Sequence, residues 1–166
     1  QGQTIYAAQC AGCHDGKGSR VGTAIPLAEI GTDPEHVLTF SQANADRMNG
    51  LTRLLGAPKA ELQGAQGYVA RPLLGVWLLA PYLHNGSVPT LRALLSPPDQ
   101  RPKVFYRGVD LVDLRDVGFS ATGPDAEAEG FRFDTSLRGN GNGGHLYGTD
   151  LSETDKTALI EFLKTL

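Results

Sequence analysis

A mainly α fold, with two terminal helices framing long loops and one small β-hairpin, is what the sequence predicts, and three observations carry it. Near the start, Gly2 and Tyr6 lie eight and four residues before Cys10, one helical face of a first helix. At the other end, Ser152 with Asp155 three residues on reads as an N-cap with a variant capping box. Ala158, Leu159, Phe162, Leu163 and Leu166 follow it on one helical face. Between these ends the 21 glycines and 10 prolines favour long loops and few helices. At 166 residues and 40% hydrophobic, the chain suits a single domain, 1–166, with a sizeable core. A net charge of −3 argues against nucleic acid as a partner. The most apolar stretch, Pro72 to Leu83, is too short, and too interrupted by Gly75 and Pro81, to span a bilayer.

The pentapeptide Cys10-Ala11-Gly12-Cys13-His14 has the C-x-x-C-H spacing of c-type haem attachment. Two thiols on one helical turn reach the two vinyl groups of a haem, and the adjacent imidazole falls beneath the iron. One covalent haem per chain is therefore expected, held by Cys10, Cys13 and His14. A Cys10–Cys13 disulfide or redox dithiol is the alternative use of the same two cysteines. Covalent haem attachment takes place outside the bacterial cytoplasm, so a periplasmic or secreted location is expected. No signal peptide precedes Gln1, which suits a mature form or a domain of a longer exported protein. With Gly2, Tyr6 and the C-terminal helix, the motif resembles the frame of class I cytochromes c. There a small residue permits close crossing of the terminal helices, and the aromatic packs behind the haem.

Taken in order, the first helix is expected from about Gln3 to Cys13, followed by a Gly-rich haem loop, Asp15 to Gly31. Asp33-Pro34, an N-cap followed by proline at the first helical position, opens a second helix running to about Leu55. Gly56 to Gly67 reads as a loop, Leu73 to Leu79 as a short buried helix ended by Pro81, and Thr90 to Leu95 as another short helix. Val104 to Tyr106 and Val117 to Phe119 have β-like composition and are expected to pair as the hairpin. Ala121 to Thr149 is mostly Gly, polar or charged, a long irregular segment of the kind that is functional or anchored.

His14 leaves the opposite iron face to be filled, and the candidates are His145, Met48, His84 and His36, or an open position. His145 is the first choice. It lies in the loop before the C-terminal helix, where small cytochromes c carry methionine, and Gly139 to Gly144 lets backbone approach a flat porphyrin closely. Met48 sits in the second helix, where a lone methionine is usually a core filler. His84 precedes the turn signal Asn85-Gly86, and His36 falls in the first turn of a helix. Arg71 is a candidate partner for a haem propionate, set against a solvated arginine before proline. Trp77 and Tyr82 are candidates to line the haem pocket, set against plain core packing. No EF-hand spacing appears, so no metal besides haem iron is expected.

Ala80-Pro81-Tyr82-Leu83-His84-Asn85-Gly86-Ser87-Val88-Pro89-Thr90-Leu91 resembles the signature of the bacterial di-haem cytochrome c peroxidase superfamily. Tyr68 to Leu73, Phe133-Asp134-Thr135 and Gly144-His145-Leu146-Tyr147-Gly148-Thr149 are similar to the C-terminal haem domain of its rubber-oxygenase-like branch. That resemblance implies His145 as the distal ligand. Peroxidase members use a methionine after the signature, and Leu91 to Pro98 offers none. Active members carry a second haem on another domain, where the peroxide or oxygen chemistry occurs. With one haem site, this chain is similar to the electron-transfer half. It is expected not to be an enzyme itself but a low-potential, bis-histidine, one-electron carrier serving a redox partner protein, such as an extracellular oxidoreductase acting on polysaccharide. A peroxidase or oxygenase with an open or displaceable sixth position is the alternative, and a haem-based sensor a third.

Overall fold

The computed structural model describes residues 1–16, 20–56 and 61–166; parts of the expected loops Asp15 to Gly31 and Gly56 to Gly67 lie outside the described residues. Two short helices, α1 (Gly2–Gln9) and α2 (Ala11–His14), stand in place of the one expected from Gln3 to Cys13. The direction changes at Cys10, whose φ of −121° leaves the helical basin. Its N–H still donates to the Tyr6 carbonyl at 2.9 Å, and its own carbonyl accepts from the His14 N–H at 3.0 Å, so the turn carrying the motif stays wound. β1 (Ala24–Pro26) and α3 (Leu27–Ile30) follow, and α3 closes on Gly31 in the left-handed region.

The expected helix from Pro34 to about Leu55 is two helices, α4 (Glu35–Thr39) and α5 (Gln42–Leu54). Ser41 makes the break: its Oγ accepts from the Asn44 N–H at 3.4 Å, a second N-cap inside the expected span. β2 (Gly67–Val69) pairs antiparallel with β1, Ala24 opposite Val69. The expected buried helix Leu73 to Leu79 is a single 3₁₀ turn, Val76–Leu78, that buries Val76 and leaves Leu74, Leu78 and Leu79 exposed. α6 (Leu91–Leu94) forms where it was expected, with Thr90 Oγ1 accepting from the Ala93 N–H at 3.1 Å.

The hairpin pairing Val104 to Tyr106 with Val117 to Phe119 does not form. β3 (Val104–Arg107) pairs with a later strand, while β4 (Val112–Asp113) and β5 (Gly118–Phe119) pair with each other. α7 (Pro124–Glu129) and β6 (Phe131–Asp134) occupy part of the segment expected to be irregular, and β6 is the partner of β3. Phe133 faces Phe105 with ring centroids 5.2 Å apart, and the Arg107 guanidinium lies 4.3 Å over the Phe133 ring, so cross-strand aromatic burial selects this pairing. The fold is thus mixed rather than mainly α, with three two-stranded sheets among the described residues.

Helices nonetheless make the frame. α8 (Glu153–Leu163), capped by Ser152 as expected, crosses α1 at Gly2. A Cβ on Gly2 would stand 2.0 Å from the Ala158 carbonyl oxygen, so only glycine permits this crossing. Tyr6 packs on Phe162 at 5.2 Å, and Gln1 Nε2 donates to Asp155 Oδ1 at 2.7 Å. Leu159, Ile160 and Leu163 are buried with Val76, Tyr82, Val88, Leu91, Leu95 and Val117. Each such aliphatic side chain contributes about 1.5–3 kcal/mol by leaving water. Among the described residues, no helix is long and apolar enough to cross a membrane.

Candidate haem site

His14 ends α2, and its ring is tied to the next part of the chain by one bond: Nδ1 lies 2.6 Å from the Arg71 carbonyl. A carbonyl only accepts, so Nδ1 carries the proton and Nε2 keeps its lone pair for a metal. Arg71 follows β2, whose pairing with β1 is extended by the Ala70 N–H donating to the Thr23 carbonyl at 3.0 Å. The residue before proline avoids the helical region, which keeps this backbone extended at Arg71-Pro72. The Arg71 side chain is exposed and makes no hydrogen bond or ion pair among the described residues.

On the other side, His145 stands with its ring centroid 6.2 Å from that of His14, the planes at 48°. Two metal–imidazole bonds of about 2.0 Å, with roughly 1.1 Å from each nitrogen to its ring centre, span a gap of about 6 Å. The separation is compatible with both imidazoles reaching one metal ion between them. His145 Nδ1 is buried without a hydrogen-bond partner among the described residues. Burial, and then the proximity of the His14 charge, hold the His145 pKa down to about 4, so its imidazole is neutral and competent as a ligand at neutral pH. Cys10 and Cys13 are unbridged thiols, both half-buried. Burial, with Cys13 adding to it, pushes the Cys10 thiol up to about 11. A cleft of about 680 Å³ is lined by Gln9, Gly31, Gly144, Leu146 and Tyr147 among others, and not by Cys10, Cys13, His14 or His145 themselves.

The His145 loop is irregular but fastened along its length. The His145 N–H donates to the Ile30 carbonyl at 2.8 Å. Gly144, at φ +70°, packs so closely on Gly31 and Thr32 that a Cβ would lie 2.2 Å from the Gly31 carbonyl carbon. His145 itself sits at φ +48°, a left-handed conformation imposed by its surroundings. Asn85 Nδ2 donates to the Gly139 and Gly141 carbonyls at 3.0 and 2.9 Å, and Ser87 Oγ to Gly141 at 3.0 Å. The His-Asn-Gly-Ser signature thus acts through its Asn and Ser, as anchors of the loop bearing His145. From the opposite side Asp33 Oδ2 accepts the Gly141 N–H at 3.1 Å.

Of the other candidates, Met48 is 48% exposed on α5. His84 stacks on Tyr68 at 3.7 Å and meets His36 edge-on at 5.1 Å, with its Nε2 buried and without a hydrogen-bond partner among the described residues. Burial, and then the charge of His36, lower the His84 pKa to about 4. Tyr82 is buried in the core with its hydroxyl donating to the Val76 carbonyl at 3.1 Å, and Trp77 is half-buried against the same core. The Arg71 carbonyl, Asn85, Ser87 and Arg101, whose Nη1 donates to the Gly144 carbonyl at 2.9 Å, are contributors that sequence reasoning missed. The Asn and Ser sat in plain view inside the signature, whereas nothing local marks a backbone carbonyl or a lone arginine.

Residues 67–106 match the profile of the family described as RoxA-like, cytochrome c-like. The chain carries a cytochrome c-like domain related to RoxA. The matched stretch includes the Arg71 carbonyl, the Asn85 and Ser87 anchors and Arg101, so the family likeness falls on the support of the two histidines. The protein y4iJ of Sinorhizobium fredii is 41% identical over 132 residues, 74% of this chain and 20% of the relative. In the same organism, y4iM is 57% identical over 54 residues, 32% of this chain and 12% of the relative. The chain thus spans a fifth or less of the length of these relatives. A cytochrome c-like domain implies haem, and with it a role in electron transfer or beside an oxidoreductase.

Proposed function

We propose that the domain is a mono-haem c-type cytochrome with His14 and His145 as axial ligands, working as a low-potential one-electron carrier and not itself an enzyme. The observation that carries this reading is the pair of imidazoles 6.2 Å apart, one on the C-x-x-C-H turn and the other on an anchored loop. When bound, haem c supplies a one-electron iron couple. The thiols of Cys10 and Cys13 would each add S–H across one vinyl group, making a C–S bond and a C–H bond with no net oxidation. His14 donates its Nδ1 proton to the Arg71 carbonyl, which fixes the tautomer and strengthens Nε2 as a donor. A second imidazole in place of a thioether favours the ferric state, so the potential is low. Arg71, exposed and without a hydrogen bond or ion pair among the described residues, would pair with a propionate, while Trp77 and Tyr82 would support the pocket from the core.

Thioether attachment argues for a periplasmic or secreted protein, and an outer-sphere carrier needs a redox partner protein, such as an extracellular oxidoreductase. The test is the absorption spectrum and ligand binding of the haem-loaded domain. A low-spin spectrum without the methionine–iron charge-transfer band, slow carbon monoxide binding to the ferrous form, and fast binding after His145→Ala are expected. Rapid carbon monoxide binding by the unmodified domain would overturn the ligand set and favour a peroxidase or oxygenase with an open position.

A further inference from the structure

Arg101 is 2% exposed, among the most buried large side chains of the chain, and no carboxylate pairs with it among the described residues. Burying a guanidinium is costly unless its donors are satisfied, and here backbone carbonyls satisfy them. Nε donates to Ser96 at 3.0 Å, and Nη2 to Leu94 at 3.1 Å, which fixes the arginine to the end of α6. Nη1 donates to Asn142 at 2.6 Å and Gly144 at 2.9 Å, and Nη2 also reaches the His145 carbonyl at 3.3 Å. One planar group therefore joins the core to three carbonyls of the irregular loop that bears His145.

We propose that Arg101 is the positioning residue for the distal ligand, holding the 142–145 backbone so that the His145 imidazole stays opposite His14. The inference rests on the bis-histidine reading above. His145 needs such a device because its left-handed φ of +48° has no helical or strand bonding to maintain it. The His145 N–H is held by the Ile30 carbonyl at 2.8 Å, and the other anchors, Asn85, Ser87 and Asp33, grip the loop at Gly139 and Gly141, four or more residues upstream, so the carbonyls of Asn142, Gly144 and His145 are held by Arg101. A lysine keeps the charge but lacks the planar fork, so Arg101→Lys restores position only in part.

The test uses the haem-loaded domain in four forms: unmodified, Arg101→Gln, Arg101→Lys, and Arg92→Ala. The last removes the Arg92 contacts with Asp116 and Glu153, away from the loop, and serves as a stability control. Two quantities are read, the rate of carbon monoxide binding to the ferrous form and the hydrogen exchange of the His145 amide. Arg101→Gln is expected to raise both at least tenfold, Arg101→Lys to fall between it and the unmodified domain, and Arg92→Ala to leave both unchanged at whatever thermal stability it retains. Equal effects of Arg92→Ala and Arg101→Gln would reduce Arg101 to a general stabiliser and overturn the proposal. Failure of both Arg101 variants to take up haem would do the same, since a local positioning role leaves the His14 side intact. Fast carbon monoxide binding by the unmodified domain would instead sink the bis-histidine reading itself.

Discussion

Gly144→Ala is the sharpest perturbation of the distal side. The added Cβ would lie 2.2 Å from the Gly31 carbonyl carbon and 2.4 Å from the Thr32 nitrogen, where ordinary contact begins at 3.4 Å. Both neighbours are backbone, so relief requires the loop and the 30–32 segment to separate by about 1 Å. That is enough to break the 2.8 Å bond from the His145 N–H to the Ile30 carbonyl. Left-handed strain at φ +70° costs roughly 1–2 kcal/mol for a residue with a Cβ, and overpacking about 1–3 kcal/mol, so the loss is about 2–5 kcal/mol. Urea denaturation of the haem-loaded domain measures the stability, and carbon monoxide binding measures whether His145 still fills its place. Gly50→Ala is the control: Gly50 is exposed in α5 with open space around its Cβ position, and alanine there should add up to about 1 kcal/mol. A Gly144→Ala loss below about 0.5 kcal/mol, or a larger loss with unchanged carbon monoxide binding, would refute the reasoning.

Gly2→Ala should cost about 1–3 kcal/mol in the same denaturation assay, because its Cβ meets the Ala158 carbonyl oxygen at 2.0 Å and pushes α1 from α8; an unchanged midpoint would contradict that crossing. His84 supplies a pH signature. Its folded pKa of about 4 lies below the unfolded value near 6.5, so the unfolded chain binds the extra proton between those pH values. This contribution is whole above pH 6.5 and is lost as pH falls toward 4. His36 and Asp33 face the same ring, one opposing and the other favouring its protonation. Replacing His84 with Asn should flatten the acid limb of stability measured between pH 7.5 and 4.5, and an equally steep limb would assign the dependence to other groups.

The motif Cys10-Ala11-Gly12-Cys13-His14 and the Ser152 cap were legible because each is a local statement about spacing or capping. The terminal-helix crossing was legible too, since Gly2 and Tyr6 fall one turn apart on a single face. Local reading failed where competition between distant segments decides. Ser41 was free to continue a helix or cap a new one, and β3 had both Val117 to Phe119 and β6 as apolar partners. Burial of Phe133 against Phe105 resolved the second choice, and only three-dimensional packing exposes that energy.

By itself, then, the sequence determined the turn on which the proposed proximal side rests: thiols and imidazole at fixed intervals need no distant contact to be recognised. The tertiary structure decided what faces them. His145 lies 131 positions along the chain from His14, in a loop with no regular hydrogen bonding, and it comes opposite through Ile30, Asn85, Ser87 and Arg101. Those partners act through backbone carbonyls and N–H groups, which every residue type possesses, so no pattern of side chains announces them.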